Sequence, residues 1–240
     1  MPNRARGWMC CRKKKQGMSV MTFTDILQPL QVGNVGEDIT AKSCFCPQAV
    51  GPSRHAVAAT STTDGTYYGA RGYINIYTPR VSDDQYSEAT IWLSNGTPDQ
   101  LNYIQAGWAV SHLLPLLSIV MNYFSCKSNN VMGYWPKSLF NSLSGLASQI
   151  VWGGDTYGPI DEVMKPEMGS GHFPNEGYRG AAFFQQIQVI KSEEFEDPDE
   201  STMEIILDET NCYNITGKTD RLADPGYHFF FGGPGGACGN

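Results

Sequence analysis

Tyr103-Ile104-Gln105-Ala106-Gly107-Trp108-Ala109-Val110 decides the fold class of this chain. Ile104, Ala106, Trp108 and Val110 alternate with Tyr103, Gln105 and Gly107, a period of two that sends successive side chains to opposite faces of a strand. The apolar set faces a core, which puts Gln105 on the more polar side, away from it. The same pattern spreads outward. Ile74 and Ile76 alternate with Tyr73, Asn75 and Tyr77, and Ala89, Ile91 and Leu93 alternate with Thr90 and Trp92. Strand signals resume over 181–190, 202–207 and 227–231. One segment departs from them: Leu139, Leu143, Leu146, Ala147 and Ile150 share a helical face, with Pro136 ahead and Gly153-Gly154 behind. That spacing predicts a single helix of about four turns. The expectation is therefore all-β, an antiparallel β-sandwich with one docked α-helix.

Composition agrees with that class. The 240 residues include 26 Gly, 14 Pro, 12 Tyr and 11 Phe, a mixture suited to many short strands joined by turns. Residues 1–50 have weak periodicity and are expected to form a poorly ordered extension, with the sandwich domain over 51–240. The net charge of −7 is uneven, because Arg4, Arg6, Arg12, Lys13, Lys14 and Lys15 precede any acid. The acidic body excludes a nucleic-acid partner, which needs a basic face. Leu113–Met121 is too short an apolar run to span a bilayer, which takes about 20 residues, and no apolar signal segment follows the N-terminal charges. The acidic run Glu193–Glu200 is expected as a solvated loop. The four histidines lack ligand spacing, so neither a metal nor a cofactor is expected. Cys10, Cys11, Cys44 and Cys46 also fit no common zinc pattern and are stray thiols or disulfides. Asn95-Gly96-Thr97 and Asn214-Ile215-Thr216 are glycosylation sequons.

Chemistry is concentrated in Glu167-Met168-Gly169-Ser170-Gly171-His172-Phe173-Pro174-Asn175-Glu176. Glycines let a backbone approach a ligand closely, so an acid beside a Gly-Ser-Gly turn can be presented to a substrate; a solvated turn acid is the plainer account. This stretch, with YYGARGYINIYTPRVSDDQYSEATIWLSNG (67–96), YIQAGWAV (103–110), GYWPKSLFNSLSGLASQIVWGG (133–154) and YHFFFGGPGG (227–236), resembles segments of the neprosin family in family order. Those proteins are plant glutamic endopeptidases that cleave around proline.

The resemblance implies two glutamates facing each other across a groove. One deprotonates a water, while the other polarises the scissile carbonyl and helps protonate the leaving amine. One family glutamate matches Glu167. The other lies in a segment that usually reads Ile-Glu-Ala-Gly-Trp and here holds Gln105, which keeps the shape but cannot transfer a proton. Gln105 as carbonyl polariser with Glu167 as base follows the Gln/Glu dyad of the eqolisins, a separate family of fungal acid peptidases. Tyr103 and Trp108 are candidates to line a proline subsite, and His172 is a candidate to orient the acid or bind substrate. Cys212 and Cys238 resemble a family disulfide, and the family is secreted. A central family stretch of several strands is missing, and residues 111–130 stand in its place without family likeness. The expected partner is a proline-containing peptide. The alternative is a non-catalytic module whose aromatic residues, such as Tyr73 and Tyr77, stack on peptide or cell-wall polysaccharide.

Overall fold

The computed structural model describes residues 6–10, 18–23, 53–61, 65–97, 100–111, 140–160, 162–192, 194–216 and 226–238. Twelve strands follow in chain order: β1 Arg6–Cys10, β2 Met18–Phe23, β3 Ser53–Thr60, β4 Gly69–Asn75, β5 Tyr86–Asn95, β6 Asn102–Ser111, β7 Gln149–Tyr157, β8 Ala182–Ile190, β9 Phe195–Glu196, β10 Met203–Leu207, β11 Asn214–Ile215 and β12 Phe229–Gly232. One sheet runs β1-β6-β5-β7-β3-β10; the other runs β11-β12-β8-β4-β2, with β9 beside β8. Every pairing is antiparallel except β1 on β6. The fold is the expected β-sandwich.

Alternation in the first sheet builds the core. Ala56 and Ala58 of β3, Ala89, Ile91 and Leu93 of β5, Ile104 and Ala106 of β6, and Ile150 and Trp152 of β7 are all buried in one cluster. Ala70 and Ile74 of β4, Phe184 and Val189 of β8, and Phe229 and Phe231 of β12 meet them from the second sheet. Each fully buried aliphatic side chain contributes about 1.5–3 kcal/mol, so these facing strips outweigh any single polar contact. A bulge interrupts the second sheet between Arg71 and Tyr73, opposite Gln186 at φ 50°. It shifts the phase of β8, so Phe184 and Ile187 both turn inward.

One expectation is corrected. The helix over 139–150 is absent: 142–144 form one 3₁₀ turn, and Gln149–Tyr157 is a central strand. Leu143 and Ala147 do reach the core, but from the turn and from a bridge to Tyr67. Ile150 reaches it from β7, where β-branched Ile150 and Val151 favour a strand. The helical spacing was coincidental, and Leu139 lies outside the described residues. Within the span expected as an extension, two described segments pair with the sandwich. Arg6–Cys10 pairs with β6 and Met18–Phe23 pairs with β4, adding an edge strand to each sheet. Residues 111–130 lie outside the described residues except for Ser111. The acidic run contains β9, with the Arg71 guanidinium 4.0 Å above the Phe195 ring.

Candidate active site

The side of the first sheet turned away from the core carries an unusual row. Register places Glu88 of β5 opposite Asp155 of β7, and Asp155 opposite His55 of β3. Asp208, just past β10, donates its backbone N–H to the His55 carbonyl at 2.9 Å. Four titratable side chains therefore stand on neighbouring strands at one level. Glu88 is 5% exposed and Asp155 6%, far below the ordinary exposure of carboxyls.

Burial costs a charged carboxyl more than a neutral one. Burial, and then the charge of Asp155, hold Glu88 well above the usual carboxylate range, while the Gln105 amide pulls it back. Burial raises Asp155 to about 6, against the pull of the His55 charge and a hydrogen bond from Tyr86. The Tyr86 hydroxyl donates to Asp155 Oδ2 at 3.0 Å and lies 3.1 Å from Ser53 Oγ. Burial first, and then Asp155, keep that phenol protonated. Tyr157 stacks on Tyr86 with centroids 5.5 Å apart, fixing the donor. Two opposed carboxyls in a dry setting share a proton, and their titrations belong to the pair.

Gln105 joins this row. Its side-chain nitrogen donates to Glu88 Oε1 and, at 3.0 Å, to Thr90 Oγ1. Gly107 stands between them in register, opposite Thr90. A Cβ at Gly107 would collide with the Thr90 side chain and the Ala89 carbonyl, so only glycine permits this close approach.

The other expected site residues sit elsewhere. Glu167 accepts from the Arg80 backbone N–H at 2.8 Å and from the Arg80 Nε at 2.5 Å, and Nη2 of the same guanidinium pairs with it as well. Among the described residues, no hydrogen bond links Glu167 to Gln105. Gln105 instead bonds Glu88 and Thr90, and Glu167 bonds Arg80. His172 pairs with Glu176, four residues on, at 2.8 Å. Tyr103 shares the face of Gln105 by alternation and is half-buried. Trp108 points to the other face, into a small cleft with Tyr77, Pro79, Ser87 and Gly169 whose wall includes Glu88. There the Trp108 Nε1 and Ser87 Oγ are buried without partners.

Cys212 and Cys238 are joined by a disulfide with Cα atoms 5.2 Å apart. Asn95 Nδ2, the atom a glycan would take, donates to the Leu146 carbonyl at 2.6 Å, while Asn214 is exposed. No group of three ligating side chains among the described residues is arranged to hold a metal, and none of their helices is long and apolar enough to cross a membrane.

Glu88, Asp155, His55 and Asp208 were missed as site residues. The available signal was period: Glu88 shares the face of Thr90 and Trp92, a charged position on a strand otherwise rich in apolar residues. Comparison with models of known families matches residues 120–234 to the family described as Neprosin.

Proposed function

We propose that this chain, which belongs to the Neprosin family through residues 120–234, is a peptidase domain that activates water with the Glu88–Asp155 pair and steadies the substrate carbonyl with Gln105. The family match is consistent with a peptidase and with a peptide substrate. The observation carrying the residue assignment is the direct cross-strand opposition of two buried carboxyls beside Gln105. Environments that push two acids apart separate the proton donor from the proton acceptor.

In this reading Asp155, the less strongly raised of the two, is the base. It takes a proton from water as the water oxygen bonds to the scissile carbonyl carbon. The carbonyl electron pair moves onto oxygen, which accepts a hydrogen bond from the Gln105 amide as that amide exchanges its bond to Thr90 Oγ1 for one to the substrate. Glu88 donates its proton to the departing nitrogen as the C–N bond breaks, giving a carboxylic acid and an amine. Transfer of the proton from Asp155 to Glu88 resets the pair. Glu167 becomes a structural anchor for the loop beside Arg80. The Cys212–Cys238 bridge supports a secreted setting, which the family also suggests.

The test is hydrolysis of a proline-containing peptide between pH 3 and 7 by the wild type, Asp155→Asn, Glu88→Gln and Glu167→Gln. Loss confined to the first two variants supports the assignment. Equal background rates in all four proteins refute hydrolysis.

One observation favours a second reading, a non-hydrolysing binding module. Tyr178, 46% exposed, stacks on His228 and meets Phe183 and Phe230 edge-on, an aromatic platform on the second sheet suited to a proline or sugar ring. Peptide or polysaccharide binding that persists in Asp155→Asn and vanishes in Tyr178→Ala would favour it.

A further inference from the structure

We propose that His55 is a positioning residue for the acid pair: clamped by Asp208, its imidazole faces the free oxygen of Asp155 and fixes the rotamer and charge of that carboxyl. This rests on the Glu88–Asp155 site proposed above. The clamp has two parts. Asp208 Oδ2 accepts the His55 backbone N–H at 3.0 Å and lies 2.8 Å from its Nδ1. A carboxylate at that distance selects the tautomer with the proton on Nδ1. Nε2 is thereby turned toward Asp155 Oδ1 at 3.8 Å, beyond a hydrogen bond but within ion-pair range. Among the described residues that oxygen has no hydrogen-bond partner, whereas Oδ2 is held by Tyr86.

The ring is 40% exposed in its side chain, while the Asp155 side chain stays enclosed at 9%. A positive charge on the ring stabilises the Asp155 carboxylate. Among the described residues, the titratable groups facing Asp155 are Tyr86 and Glu88 from β5, His55 from β3, and Tyr213. Those facing His55 are Asp155 from β7 and Asp208 beyond β10. Arg54 and Glu209 form their own pair at 3.3 Å beside this row.

The experiment is a carbon-detected NMR titration of the Asp155 carboxyl in the full chain, in the wild type, His55→Gln and Asp208→Asn, alongside the pH profile of kcat/KM. His55→Gln should move the Asp155 midpoint upward by roughly one unit, since an opposite charge at this range has been removed. Asp208→Asn keeps the ring but unclamps it, and should move the midpoint the same way by less. The acid-side limb of kcat/KM should follow. Unchanged midpoints in both variants would overturn the proposal. The titration needs no turnover, so it decides the role of His55 separately from whether the chain hydrolyses peptides.

Discussion

Asp155 and Glu167 are both acids of this fold, yet their surroundings differ in kind. Asp155 is set in the middle of a sheet, between two strands, with a second carboxyl across from it and its charge disfavoured by burial. Glu167 sits in a loop where one arginine supplies three donors, and that arginine's side chain is 90% exposed. An enclosed carboxyl facing another acid gains much from taking a proton. The contrast sets an acid held by an arginine beside a glycine turn against an acid placed by strand register.

The strongest way to break this comparison is kinetic. Asp155→Asn should lower the hydrolysis rate by roughly 10²–10⁴, the usual contribution of a general base, and Glu167→Gln should stay within about threefold of the wild type. A reversed order would reinstate Glu167.

The two regions also separate by stability. The Glu167 loop is bridged to the C-terminal segment at Lys165–Gly236 and Met168–Gly233, and the Cys212–Cys238 disulfide pins that segment. Cys212→Ser should cost about 2–5 kcal/mol in chemical denaturation while leaving the Asp155 titration unmoved.

A third test is pH. Asp155 binds its proton more tightly when folded than when unfolded, so its contribution is fully present below about pH 4 and is lost as the pH rises through about 6. Glu88 acts in the same direction. Melting temperature should therefore fall over that window, by a free energy on the order of 2–3 kcal/mol, and Asp155→Asn should flatten the curve.

Gln105→Ala comes next. It strips Glu88 and Thr90 of a shared donor and should cost about 1–3 kcal/mol, measured by urea denaturation. The smallest effect belongs to Arg80→Gln, whose fully exposed guanidinium should leave the melting curve close to that of the wild type, with little salt dependence remaining.

Much of the fold was legible because alternation is local. Ile104 and Ala106, or Ile91 and Leu93, declare their shared face within a few residues. Gln105 was correctly assigned to the side away from the core for the same reason. What was hidden depends on register. Glu88 and Asp155 are 67 positions apart, and nothing in either strand alone states that they stand opposite. The failed helix over 139–150 has a physical cause as well. Leu143, Ala147 and Ile150 are spaced like one helical face but reach the core from a 3₁₀ turn, a bridge and a strand. At Glu167, the motif drew attention to an acid whose partner, Arg80, is 87 residues earlier.

The row of His55, Glu88, Asp155 and Asp208 draws on four strands or strand ends scattered along most of the chain. Contacts of such long sequence separation form slowly and late. On the proposed reading, a centre assembled this way stays inert on a nascent or partly folded polypeptide, so completion of the fold itself guards against premature self-digestion.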